Sequence, residues 1–361
     1  MHIKKNAVTM VEILRTMVAI LCSLLMVFAI ILLVSDQPFS ALKDFLIGPL
    51  TSVRRMGNVI EAMTPLIFTG LSVTMLYRAG LFNLSMEGAF FMGAVAATAG
   101  ALLFDLPPII NLIVAMSLGT VAGGIVTLIP GVLKVKCHAN ELVTSLMLNY
   151  VCLYLGLYII TEFFYDPQMN SNYSFLFADS MVLPKLFSKT RINTGTIIAF
   201  AAVGIVWLIL NKTSFGYKVT LVGKNDTMAK YSGIDAGAVI IGSQLLGGML
   251  AGLGGCVELF GMYQRFQYQG LPGYGWDGVL IAIVARYQAK YIPLAALFLA
   301  YLRIGADIMS RNTDIPFEIV KIIQAIMIVL ISAQAILSRY RQKLVVKEAK
   351  ELEEMGGKVN G

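Results

Sequence analysis

Between residues 16 and 337 the chain is a succession of long apolar stretches, and the short breaks between them carry the charge. That pattern decides the class before any motif is read. Hydrophobic residues make up 57% and charged residues 14% of the 361 positions, with a mean hydropathy of +0.76. A soluble domain of this length cannot hide so much apolar surface, whereas a bilayer accommodates it. Lipid offers backbone N–H and C=O groups no partners, so a crossing segment must be helical or belong to a closed barrel. The apolar runs are continuous rather than alternating, which selects helices, and about 20 residues are needed to cross ~30 Å of hydrocarbon.

Ten spans are expected, at 16–34, 59–77, 86–104, 109–133, 141–162, 195–211, 238–260, 276–287, 291–309 and 319–337. The eighth is short, follows the Gly- and Pro-broken run LPGYGW, and reads as a half-helix as readily as a full crossing. The first is too long for a cleaved leader, and no small-residue cleavage site follows Val34, so a retained helix is expected. The fold class is therefore all-α and polytopic. One transmembrane domain, 16–337, lies between an N-terminal segment, 1–15, and a mixed-charge tail, 338–361. Placing both termini in the cytoplasm puts 18 Lys and Arg residues in inner segments against 8 in outer ones, the bias expected of a correct orientation. The net charge of +7 then reports topology and gives no reason to expect nucleic acid as a partner.

Catalytic and metal chemistry find little support. The four cysteines, Cys22, Cys137, Cys152 and Cys256, have no CxxC spacing and sit in or beside spans, where a small apolar packing role is the simplest account. With only His2 and His138 as histidines, a His-based metal site is not expected. HExxH, GxSxG and the GxxxxGK[ST] phosphate loop are all missing. If ATP drives this chain, the nucleotide must be bound and hydrolysed on another polypeptide.

Charges within spans carry more information, because an ionised group there is costly unless paired or wetted. Glu61, Glu87, Glu141, Glu258, Asp277 and Arg303 are of this kind, and a helix-end position accounts for several without any function. Glu87 and Glu258 have apolar neighbours and are the better candidates for internal polar contacts. Gly119, Gly123 and Gly124 in the fourth span, and Gly247, Gly248, Gly252, Gly254 and Gly255 in the seventh, form GxxxG patterns that let helix backbones approach closely. The first outer segment, 35–58, is expected to lie partly at the interface, with Arg54 and Arg55 reaching headgroups. The outer loop 163–194 is long enough to form a surface. The inner segment 211–235 is too long for a plain connector. Asn225 or Asp226 can cap a short helix, Thr227–Tyr231, that Gly233 ends, and such a helix along the inner face would serve as a docking peg.

Four motifs then point further: RAGLFNLSMEG (78–88); NELVTSLMLNY (140–150); FGYKVTLVGKNDTMAKYSGI (215–234); and a C-terminal group comprising LAGLGGCVELFG (250–261), GYGWDGVLIAI (273–283), YLRIGADIM (301–309) and IPFEIVKIIQAIMIVLI (315–331). In order and position they resemble the permease subunits of ABC importers of the nucleoside, ribose and branched-chain amino acid class, over roughly 55–335. The second motif and GYGWDG are most similar to the nucleoside importer permeases. The chain departs from the pattern at Phe90, where the family commonly has glutamine.

The resemblance implies a type II importer permease fold in a prokaryotic plasma membrane, working with two cytoplasmic ATPase subunits, a second permease copy or sister, and an extracytoplasmic solute-binding protein. It implies an ATPase-coupling segment of Gly223, Lys224, Asn225, Asp226, Thr227, Met228, Ala229, Tyr231 and Gly233. A translocation pathway would draw on Asn83, Glu87, Phe90, Asn149, Glu258 and Trp276. Tyr263, Phe266, Tyr268 and Tyr274 join Trp276 as aromatics near the outer mouth, where an interfacial aromatic belt is the simpler account. Simple sugars or branched-chain amino acids are alternative cargoes. The rival class is an ion-coupled secondary transporter, in which Glu87 and Glu258 would be midplane carboxylates.

Overall fold

The computed structural model describes residues 25–315, apart from 27, 34 and 170, together with residue 322. Among these residues the architecture is helical, and pairing between extended segments is limited to two isolated bridges, Tyr165–Ser174 and Lys185–Asn193. The helices in chain order are α1 (Pro38–Leu46), α2 (Val53–Arg78), α3 (Met86–Leu103), α4 (Pro108–Cys137), α5 (Glu141–Phe163), α6 (Thr194–Lys212), α7 (Ser214–Lys224), α8 (Asp226–Tyr231), α9 (Ala236–Met262), α10 (Tyr274–Val284) and α11 (Ile292–Asn312).

Seven of them, α2 to α6, α9 and α11, are long and apolar enough to cross a bilayer, and they match seven of the ten expected spans. The eighth expected span is α10. At about 1.5 Å per residue its 11 residues cover roughly 16 Å, about half a hydrocarbon core. The tenth expected span and most of the first lie outside the described residues.

The chain divides into two units. In the smaller, which runs to Gly48 and resumes at Gly305, Phe45 and Ala41 of α1 are buried. Ser35 Oγ donates to Asp314 Oδ1 at 2.6 Å and the Asp36 N–H donates to Asp314 Oδ2 at 2.8 Å. These donors hold the Asp314 carboxyl below the usual carboxylate range.

The larger unit, Pro49–Ile304, holds the helical bundle. Its most enclosed long helix is α2, with 89% of its apolar stretch buried, against 28% for α5, which faces outward. The helix begins at Val53, six residues before the expected start, because Ser52 caps it by accepting the Arg55 N–H at 3.2 Å. Residues 53–58, including Arg54 and Arg55, therefore belong to a helix rather than to an outer loop. α4 also runs past the expected end, through Lys134 and Lys136 to Cys137, and stops where His138 takes a left-handed conformation (φ 52°).

The two glycine-bearing helices pack on each other, with α3 against both. A Cβ at Gly123 would stand 2.6 Å from Gly252 Cα, and one at Gly93 2.5 Å from the Gly252 carbonyl oxygen. Cys256 fills the same crossing, its Sγ 3.6 Å from the Gly93 carbonyl oxygen. Cys152 is buried and Cys137 exposed, all three as free thiols.

The loop 163–194 is tied down along its length. The Ser174 and Phe177 N–H groups donate to the Phe266 and Gln264 carbonyls at 3.1 and 2.9 Å, and the Leu183 N–H donates to Phe260 at 2.8 Å. Phe177, Met181, Leu183 and Ile192 are buried beneath it.

Candidate coupling segment and buried polar core

At one end of the bundle, Arg78 closes α2 and Gly80 turns the chain with φ +73°. The turn is seated on α7. A Cβ on Gly80 would stand 3.1 Å from Gly223 Cα, and one on Gly223 would run into the Arg78 carbonyl oxygen. Arg78 Nε donates to the Tyr287 carbonyl at 3.2 Å, and the Tyr77 and Tyr287 rings stack with centroids 5.4 Å apart. Tyr287 and Arg286 both hold positive φ in the turn after α10.

From this contact the chain enters α8. Asn225 caps it, its side chain accepting the Met228 N–H at 3.0 Å, and Gly233 ends it with φ +74°. Lys230 pairs with Asp226 at 3.2 Å. Ala229 is buried as the anchor, while Lys224, Asn225, Asp226 and Thr227 are exposed, Met228 is 61% exposed and Tyr231 87%. The helix is one residue longer than the sequence suggested. The 11-residue helix α7 before it was not anticipated. Its signal was present in Thr213, which caps it by accepting the Gly216 N–H, and in the i, i+3 pair Val219 and Val222, which is buried.

Beyond Gly80 the chain turns back into the bundle. Asn83 is fully buried and its amide donates to Gln244 of α9, which in turn donates to Glu141 of α5. Glu141 also pairs with Lys134 at 2.5 Å. Asn83 Oδ1 accepts from the Ser85 N–H and hydroxyl at 2.7 and 2.6 Å. Asn149 bridges the same stretch, accepting the Gly88 N–H at 2.8 Å and donating to the Leu84 carbonyl at 3.0 Å. A buried amide costs free energy unless both its ends are used, and Asn83 and Asn149 use both. Gln244 and Ser145 complete the network, and neither stood out in the sequence.

Glu87, in the first turn of α3, reaches the start of α10. Its carboxylate accepts the Gly273 and Gly275 N–H groups, both at 2.5 Å. A helix start favours an anion, because its first N–H groups lack intrahelical partners. Here the chain's own carboxylate fills that position. The fit requires glycine, since a Cβ at Gly275 would stand 2.5 Å from the Glu87 nitrogen.

Phe90, one turn on, packs its ring 5.0 Å from that of Tyr274. Glu258 of α9 accepts the Tyr268 hydroxyl at 2.6 Å, with the Tyr274 hydroxyl beside it. Arg303 of α11 pairs with Asp277 at 2.5 Å and lies over the Tyr274 ring at 5.1 Å.

The structure thus brings Asn83, Glu87, Phe90, Asn149 and Glu258 into one buried interior, each 3% exposed or less, while Trp276 is 49% exposed. Phe266 and Tyr268 are likewise packed inside, not displayed at a mouth. Five of the six in-span charges have partners on the chain itself. The sixth, Glu61, lines a cleft at the opposite end from Gly80.

These features define a polytopic α-helical membrane protein with a tightly seated loop at one end and a half-length helix held at its core. The chain belongs to the family of permease components of branched-chain amino acid transport systems, whose pattern matches residues 55–332. It is 33% identical over 328 residues to the guanosine ABC transporter permease protein NupP of Bacillus subtilis, covering 89% of this chain and 93% of that one. It is 31% identical over 350 residues to the nucleoside ABC transporter permease protein NupB of Lactococcus lactis, covering 94% and 96%. The glucose ABC transporter permease protein TsgB13 of Haloferax volcanii is 33% identical over 315 residues, covering 84% and 83%. The protein is a permease of an ABC transporter.

Proposed function

We propose that this permease forms the membrane pathway of a nucleoside importer in a prokaryotic plasma membrane. It works with two cytoplasmic ATPase subunits, a second permease and an extracytoplasmic solute-binding protein. The cargo reading rests on the guanosine and nucleoside relatives, which align along about nine-tenths of both chains. The glucose relative favours a second reading in which the cargo is a simple sugar; a sugar ring with adjacent hydroxyls is the chemistry the two share.

The observation that carries the mechanism is the seating of Gly223 against Gly80, directly before an exposed six-residue helix. Gly223–Gly233 is the ATPase docking segment. Met228 and Tyr231 are its exposed apolar contacts, and Lys224, Asn225, Asp226 and Thr227 its polar rim. ATPase closure pushes α8, and the push reaches the turn at Gly80 without an intervening side chain. That turn leads within eight residues to Glu87, whose carboxylate holds the start of α10. A displacement at the docking face therefore reorients the half-helix and the residues around it, including Trp276. The permease contributes differential affinity for solute in the two states, while ATP is spent on the other subunits. Asn83, Asn149, Phe90 and Glu258 support the moving elements from within the bundle, and they meet solute only where the motion opens it.

Ten spans with both termini in the cytoplasm agree with the Lys and Arg bias and with the grouping of Arg78, Gly223 and Tyr287 at a single end. The test is uptake of labelled guanosine and glucose by proteoliposomes holding the assembled complex and its binding protein. ATP-dependent guanosine uptake is the expected result. Uptake without any ATPase subunit, or of glucose alone, overturns the reading.

A further inference from the structure

At the end of the bundle opposite Gly80, a cleft of about 420 Å³ opens between α2, the loop 163–194 and the segment after α9. Its volume lies in the range of small-molecule sites. Glu61 lies on one wall, only 6% exposed, with Arg191 and Lys185 acting on it through charge from the rim. Among the described residues no hydrogen bond or ion pair reaches its carboxylate. That separates it from the other in-span acids, since Glu87, Glu141, Glu258 and Asp277 all have partners on the chain. The Glu61 side chain lines the cleft, where a ligand's hydroxyl donors can take the place of water on its carboxylate.

The rest of the lining narrows the ligand. Arg265 is answered by Asp166 at 3.2 Å and Glu61 answers one of the two exposed cations, Lys185 and Arg191, which leaves one unmatched positive charge at the cleft's exposed rim. Gln264 and Gln267 supply both donors and acceptors, and Tyr263, the cleft's one aromatic residue among the described lining, supplies a ring. An acceptor with two lone-pair-bearing oxygens, facing mixed amides and one ring, suits a neutral molecule with adjacent hydroxyls.

We propose that this cleft is a loading site that holds the ribose of an incoming nucleoside, with the Glu61 carboxylate accepting from its 2′- and 3′-hydroxyls. The assignment rests on the nucleoside reading above and places recognition of the sugar at this permease rather than wholly at the binding protein.

The assembled importer in nanodiscs, without binding protein, is titrated with tritiated inosine in competition with guanosine, 2′-deoxyinosine, 3′-deoxyinosine and free hypoxanthine. Each deoxy analogue is expected to compete about tenfold less well than inosine, the loss of one hydrogen bond to a charged group. E61Q, which keeps the shape of the side chain, is expected to remove that discrimination, and its assembly is checked by gel filtration. Gln267→Ala, on the exposed rim, is expected to weaken inosine while leaving the discrimination in place. Equal competition by the deoxy analogues in the wild type, or discrimination that survives E61Q, overturns the proposal. So does a preference for guanosine over inosine that E61Q abolishes, because the carboxylate would then be reading the base. A wild-type complex that transports no nucleoside in the proteoliposome assay sinks the cargo reading and this site with it, whereas transport there with binding discrimination unchanged in E61Q sinks the site alone.

Discussion

Gly80 and Gly223 meet backbone to backbone, with no room for a side chain on either. One glycine ends the turn after α2, and the other precedes the exposed helix α8. Interactions of this kind transmit displacement stiffly, since no rotamer can absorb it. Gly223→Ala places a methyl group against the Arg78 carbonyl, and overpacking of this sort costs about 1–3 kcal/mol. The expected outcome is loss of nucleotide-driven uptake with the ATPases still bound. Gly233→Ala is the comparison: it has open space around it but keeps φ +74°, a strain of about 1–2 kcal/mol for an L residue. Its effect should fall on α8 stability and ATPase retention. If Gly223→Ala transports at the wild-type rate, the route through Gly80 is wrong.

The docking helix itself is short enough that its cap matters. Removing the Asn225 side chain frees the Met228 N–H and should cost about 1 kcal/mol of local stability. Asn225→Ala should therefore weaken ATPase co-purification partially, and Asn225→Asp should restore it. Tyr231→Ala removes exposed contact area without touching the bundle, so it should weaken co-purification while leaving the thermal midpoint of the isolated permease unchanged.

Glu87 joins two elements 186 residues apart in sequence. Glu87→Ala removes both acceptors from the start of α10. Each charge-assisted bond is worth about 1.5–3 kcal/mol, so the detergent-solubilised variant should melt several degrees lower. Glu87→Gln keeps one good acceptor oxygen and should fall between. A midpoint unchanged in both variants would mean that the half-helix is held by packing alone.

Seven of the expected spans were legible because continuous apolarity is a local property, and lipid permits few alternatives. The short helix α8 was legible from local signals too: Asn225 and Gly233 mark its two ends within nine residues. What could not be read was pairing. Nothing near Glu87 in sequence indicates Gly273 and Gly275, and nothing near Asn83 indicates Gln244, 161 residues on. In-span charges announced that partners must exist, without naming them. The same gap explains why Asn83, Asn149 and Glu258 stood out in the sequence without their hydrogen-bond partners being visible there. α7 was missed because its lysines and glycines resemble a linker, although its buried face follows helical spacing.

The crossing of α3, α4 and α9 makes the last prediction. Gly252 faces the backbone of α4: a Cβ there would stand 2.5 Å from the Gly119 carbonyl oxygen and 3.0 Å from Gly123 Cα. Backbone atoms cannot swing aside as a side chain can, so Gly252→Ala should separate the helices and cost about 1–3 kcal/mol. Gly204, on the outward part of α6, has nothing within 4 Å of a Cβ. Gly204→Ala should be neutral or mildly stabilising, since alanine is the better helix former by about 1 kcal/mol. Thermal unfolding of the two variants in the same detergent separates the effects. The α6 variant should melt at or above the parent and the α9 variant below it, because close approach, and not glycine's flexibility, is what the crossing demands. Equal midpoints would show that the crossing relaxes around a methyl group and that the glycines there are not required for packing.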